Sequence, residues 1–233
     1  MKPTILFITC EHAVNTVPKE FLHLFKGHES LLETHRGIDF GALEIAQHLS
    51  QALKTELVTA TISRLVIDCN RSLNHPHCFS ELTKPLSHAE KQKLIDDYYA
   101  PYRKQAESMI QRYIDQNYQV FHLSSHSFTP VFKGVTRNAS IGLLYDPTRH
   151  GEKEVAREWR GLLTRHTNYR VRLNYPYRGS SNGFTTELRR KHKENEYVGI
   201  ELEINQTLTK DRKALDQLIP ALTESVADLL QLL

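Results

Sequence analysis

Short apolar runs rich in β-branched residues alternate along this chain with longer amphipathic stretches, and that alternation constrains the fold more than any other feature. Residues 4–9 (TILFIT), 57–62, 120–124, 141–144, 170–173 and 199–204 read as strands. Residues 39–54 read as a helix with Leu43, Ala46 and Leu49 at helical spacing, and residues 152–166 read as another. Ser87 and Glu90 have the spacing of a capping box, opening a long helical stretch towards Asn117, with a break or kink expected at Pro101. Residues 211–233 form a last amphipathic helix, with Leu215, Leu218, Leu222 and Val226 on one face and a bend expected at Pro220. Strands alternating with helices imply an α/β fold: a three-layer sandwich around a mainly parallel or mixed central sheet. Two polar stretches interrupt the pattern, 70–85 and 174–186 (NYPYRGSSNGFTT), and loops of that length in a compact domain are often functional. Regular patterns resume after each, so residues 1–233 read as one domain.

Composition narrows the function classes. Hydrophobic residues make up 39% and charged residues 24%, the balance of a folded soluble protein. The net charge of +3 comes from scattered basic residues, which argues against a nucleic-acid stripe and hints at small anionic substrates. Three cysteines, Cys10, Cys69 and Cys78, include no CxxC pair, so neither a disulfide framework nor a thiolate zinc site is expected. The N-terminal apolar run is too short for a signal peptide and no run is long enough to cross a membrane, making the cytoplasm the default location. Oligomeric state is not legible.

Polar residues gather just beyond the apolar runs, where ligands sit in open α/β sheets. His12 follows the first strand and His126 ends the run at 120–124; each can offer a neutral imidazole to a metal, and each alone reads as readily as a capping or loop histidine. His122, inside the apolar run, reads as structural. Asp39 is either the N-cap of the predicted helix or a carboxylate ligand. Asn70 and Arg71 can grip a carboxylate, the guanidinium through its planar fork, although an Arg64–Asp68 salt bridge is the plainer reading of that segment. Glu201 and Glu203 share one face of a strand; a carboxylate in an apolar strand is costly unless used or paired, which makes Glu203 the candidate general base and a solvated edge strand the alternative.

The order His, Asn-Arg, His, Glu resembles the zinc carboxypeptidase and amidase superfamily. That superfamily carries His-x-x-Glu, whereas this chain has His12-Ala13-Val14-Asn15, so Asp39 is the candidate substitute for the missing carboxylate. The closer resemblance is to the N-formylglutamate amidohydrolase family. It rests on the CEHA segment with Asn15 and Pro18, on Gly37-Ile38-Asp39 and on residues 63–71 (SRLVIDCNR). Residues 99–102 (YAPY), Ser125-His126-Ser127, residues 174–179 (NYPYRG) and Glu203-Ile204-Asn205 complete it.

The resemblance implies a divalent metal, Zn²⁺ first, held by His12, Asp39 and His126 with a position left for water. It implies Glu203 as general base and Asn70 with Arg71 as the carboxylate clamp. Arg64 and Arg178 are secondary candidates, and Tyr177 with Gly179 would close over a small N-acyl amino acid. Nucleic-acid and membrane partners are not expected. Two rivals stay open: a metallopeptidase or cell-wall amidase on the same scaffold, and a metal-free binding module. A cysteine nucleophile at Cys10 or Cys69 is a further alternative to buried structural thiols.

Overall fold

In the computed structural model, which describes residues 2–233, the apolar runs become strands β1 (Thr4–Cys10), β2 (Leu57–Thr59), β3 (Gln119–Phe128), β6 (Ile141–Leu144), β7 (Val171–Leu173) and β8 (Tyr197–Asn205). The short pair β4 (Val131–Phe132) and β5 (Val135–Thr136) forms a separate antiparallel hairpin. The six long-range strands make one sheet in the order β2-β1-β3-β8-β6-β7. β2, β1, β3 and β8 run parallel, and β6 and β7 run parallel to each other but antiparallel to β8. The chain leaves β1 towards β2 on one side and returns to β3 on the other, so the crevice at the β1/β3 carboxyl ends is a topological switch point.

Alternation along the strands feeds two cores, one per face. Leu6 and Ile8 of β1, Leu123 of β3 and Leu202 of β8 pack with α1 (Ala42–Leu53), α4 (His150–His166) and α7 (Arg212–Leu232) through Ile45, Trp159 and Leu222. Phe7, Val120 and Tyr197 face the other way, onto Ile110 and Phe184. Those two side chains belong to α3 (Ala100–Asp115) and α5 (Phe184–Lys191).

The long helical stretch begins as read. The capping box of Ser87 and Glu90 opens α2 (His88–Leu94). The kink expected at Pro101 takes the form of a π-helical turn over Ile95–Tyr99, directly before α3. A proline brings no N–H and its ring crowds the carbonyl one turn earlier; a widened turn at that point relieves both. Through Pro220, by contrast, α7 remains helical. The helix read from residue 39 starts only at Ala42, because Gly41 takes a left-handed conformation (φ 77°) at its N-terminus. Asp39 is therefore not the cap, and its side chain is released for other use. The polar stretch 174–186 is not all loop: its end enters α5 at Phe184. Residues 206–209 form the short helix α6 (Gln206–Thr209). Among the described residues no helix is long and apolar enough to cross a membrane.

Trp159 is fully buried, meets Phe121 edge-on at 6.0 Å and donates its indole N–H to Ser225 at 3.0 Å. Replacing it by alanine removes the largest side chain of that core, and the expected loss is about 3–5 kcal/mol. Urea unfolding followed by circular dichroism checks this; a midpoint within error of the parent chain would contradict it.

Candidate metal centre

The sheet register builds the site. β3 presents His122, Ser124 and His126 on one buried face, and β8 lies beside it with Ser124 opposite Glu201 and His126 opposite Glu203. Thr9 of β1 pairs with Ser124 on the other side, so Glu11 and His12 emerge from β1 at the level of His126. Gly142 of β6 sits opposite Glu203, and a Cβ there would meet the Tyr175 carbonyl oxygen at 2.0 Å; only glycine lets the 174–186 segment lie this close to the strand.

His12 Nδ1 lies 3.2 Å and His126 Nδ1 2.9 Å from the same atom, Asp39 Oδ2. His12, Asp39 and His126 each offer one donor atom, all within 4.8 Å of one another, and all three residues are buried. The two spacings to Asp39 are close to the edge of a tetrahedron, roughly 3.3 Å for metal–ligand bonds of about 2.0–2.1 Å. Two imidazoles and one carboxylate are donor types that suit a divalent metal such as zinc. The ring nitrogens facing away are held as well. His12 Nε2 lies 2.8 Å from Asp68 Oδ1, and His126 Nε2 lies 3.1 Å from Glu11 Oε2 and 2.9 Å from Ser124 Oγ. Carboxylates behind metal-binding imidazoles fix ring orientation and raise ligand basicity.

Burial opposes charge on Glu11, Asp39 and Asp68, yet their neighbours win. His126 and Ser124 hold Glu11 far below the carboxylate range, His12, His126 and Arg64 do so for Asp39, and His12 and Arg64 for Asp68. Burial likewise opposes a charge on His126, but Asp39 and Glu11 push its pKa well up. Without a metal, a proton on His126 offsets part of this acidic surplus. Glu203 is different. Burial pushes its carboxyl up to about 8, opposed by His126 and assisted by Asp39 and Glu201. Its Oε2 is buried with no hydrogen-bond partner.

The cleft above these groups has a volume of about 200 Å³ and is lined by polar residues, among them Arg71, Tyr177, Arg178 and Asn182. Asn70 Oδ1 accepts the Phe184 N–H at 2.7 Å, while its Nδ2 faces His126 Nε2 at 3.4 Å. Arg71 donates to the Asn182 carbonyl and keeps part of its guanidinium on the cleft. Arg64 reaches the cleft wall but is spent on Asp68 (3.1 Å) and Asp39 (3.4 Å). Arg178 makes no ion pair among the described residues. Tyr177 is 42% exposed at the rim, its hydroxyl accepting from Arg137 at 3.0 Å. Asn15 is turned away from the cleft, donating to Glu33 at 2.9 Å. His122 is structural: Thr9 and Tyr197 hydroxyls hold its two nitrogens at 2.8 and 2.6 Å.

The sequence reading passed over Glu11, Ser124, Ser181 and Asn182, and took Asp68 only as a partner for Arg64. The period-two polar face His122-Ser124-His126 within an apolar strand was the available signal. Cys10, Cys69 and Cys78 are free and buried, and burial raises all three thiols, Cys78 to about 12, so none is a ready thiolate nucleophile.

The family model for N-formylglutamate amidohydrolase matches residues 4–209 of the chain. The gene product Atu2144 from Agrobacterium tumefaciens is 26% identical and superposes with a TM-score of 0.83, over 97% of this chain and 90% of that one. The N-formylglutamate amidohydrolase from Ralstonia eutropha JMP134 is 18% identical with a TM-score of 0.67, over 99% and 94% of the two chains, a likeness of fold. No protein of curated function matches the chain in sequence.

A carboxyl whose pKa is raised by folding binds its proton more tightly in the folded than in the unfolded chain. Stability of the metal-free protein is therefore lost as pH rises from the ordinary value of 4.5 towards 8. Glu203→Gln removes that loss: chelator-treated variant and parent should differ little at about pH 4, with the variant the more stable by a few kcal/mol at about pH 8.5. Denaturant melts across that range give the comparison, and parallel curves would show that Glu203 ionises freely.

Proposed function

The chain belongs to the N-formylglutamate amidohydrolase family, and we propose that it is a zinc-dependent hydrolase that cleaves the amide bond of a small N-acyl amino acid, with N-formylglutamate as the reference substrate. The observation that carries this reading is the meeting of two imidazoles and Asp39 on one point beside a buried, unpaired Glu203.

His12, Asp39 and His126 would hold the zinc ion, which when bound would supply Lewis-acid polarisation of the amide carbonyl and lower the pKa of water. Asp68 and Glu11 keep the two imidazoles oriented. Glu203 would accept a proton from the attacking water and return it to the amine nitrogen as the C–N bond breaks. The products are a carboxylic acid and a free amino acid. Arg71 and Arg178 bind substrate carboxylates, with Asn70 Nδ2 as a further donor, and a dicarboxylic amino acid uses both cations. Arg64, committed to Asp39 and Asp68, holds the acidic cluster in place. A small cleft lined by charged and polar residues suits a small anionic substrate.

Purified protein should carry about one zinc per chain and release glutamate from N-formylglutamate. His12→Ala should lose metal and turnover together, whereas Glu203→Gln should keep the metal and lose at least ~10²-fold in kcat. Full activity after exhaustive chelation, or a metal-free protein that only binds ligand, would overturn the reading. Asp68→Asn should weaken zinc binding by about 10–100-fold in competition with a chromogenic chelator; an unchanged affinity would mean that the carboxylate serves Arg64 alone.

A further inference from the structure

The polar cleft adjoins a larger chamber. A second chamber of about 400 Å³ opens outward from it, and the two share Asp39, Arg64, Arg71, Ser127 and Tyr177 as lining residues. Their chemistry differs. No apolar side chain lines the inner chamber, whereas Leu65, Phe128 and Phe132 line the outer one. Phe132 stands on the β4–β5 hairpin, 43% exposed, between the still more exposed Val131 and Val135. Behind it the Arg137 guanidinium lies 4.7 Å from the Phe132 ring centre and 4.8 Å from that of Tyr177, 5.8 Å from that of Phe128. Arg137 thus stiffens an aromatic wall while keeping its charge on the protein side.

We propose that this outer chamber is a subsite for the acyl half of the substrate, and that it takes an aromatic acyl group. The inference rests on the amidohydrolase reading and deepens it. Arg178, Asn182 and Glu203 line only the inner chamber, so the amino-acid carboxylates and the leaving nitrogen lie inward. The carbonyl carbon sits at the His12–Asp39–His126 triad, and whatever the carbonyl bears projects past Tyr177 towards Phe132. A formyl group has only a hydrogen there and leaves the outer chamber to water. A flat ring enters it, offset-stacked on Phe132, and removes exposed apolar surface from solvent. Of the arginines lining this chamber, Arg36 is paired with Glu81, Arg64 with Asp39 and Asp68, and Arg71 donates to the Asn182 carbonyl. A neutral ring therefore fits this chamber better than a second anion.

The test compares N-benzoyl-L-glutamate with N-formyl-L-glutamate. Affinities are measured by titration calorimetry on zinc-loaded Glu203→Gln, and kcat/KM on the parent enzyme. Benzoyl should bind at least ~10-fold more tightly than formyl, an increment in line with one aromatic contact and its buried area. Phe132→Ala should remove that advantage and leave N-formylglutamate kinetics unchanged, and Phe132→Trp should restore it. Equal affinities, or a benzoyl preference that survives Phe132→Ala, would overturn the subsite while N-formylglutamate turnover leaves the hydrolase reading intact. Failure of both compounds to bind or react would overturn the two together. Benzoyl-selective binding without any formyl turnover would uphold the subsite and count against N-formylglutamate as a substrate.

Discussion

Asp39 Oδ2 is shared by two imidazoles that arrive from different parts of the sheet, and the rest of the site follows from how that convergence is supported. Three buried carboxylates, those of Glu11, Asp39 and Asp68, surround His12 and His126, with Arg64 the basic side chain bonded to two of them. Removing that many like charges from water is expensive unless each is compensated. Hydrogen bonds from Ser124, Tyr102 and Thr9 to Glu11, and from the Asn70 N–H to Asp68, supply part of the compensation. What remains is an acidic surplus focused on one point in a poorly solvated crevice, a field that favours a dication.

Much of the scaffold was open to reading because it obeys period rules. The apolar runs of β1, β6 and β8 and the facing positions of α4 and α7 report burial directly, and the capping box at Ser87 is a local hydrogen-bond motif that needs no tertiary context. The misreadings have local causes too. Gly41 delays α1 by taking a left-handed conformation, and α5 hides behind the Gly, Ser and Asn residues that precede it. β3 extends to Phe128 because its polar residues are bonded inside the molecule, which hydropathy alone scores as a strand end.

The site was half legible. His12, Asp39, His126 and Glu203 carry chemistry that sequence order and family resemblance single out, and the structure brings them to one cleft. Glu11 and Asp68 were obscured because each sits next to a more conspicuous residue, and a carboxylate that orients an imidazole has no spacing of its own along the chain. Its role depends on which nitrogen it faces, a matter of ring rotation. The difference between the polar inner chamber and the aromatic outer one is likewise a property of assembly, since Leu65 lies far along the chain from Phe128 and Phe132.

The two long polar stretches are tied to each other. Asn70 accepts the N–H that starts α5, Arg71 donates to the Asn182 carbonyl, and Asn182 in turn bonds the Ser72 hydroxyl and backbone. Residues suited to gripping a ligand thereby also act as a latch between two surface segments. Thermodynamic reciprocity then couples the segments' order to the ligand's hold: a ligand that draws on Arg71 changes how firmly the segments are tied, and the tie changes the ligand's affinity by the same factor.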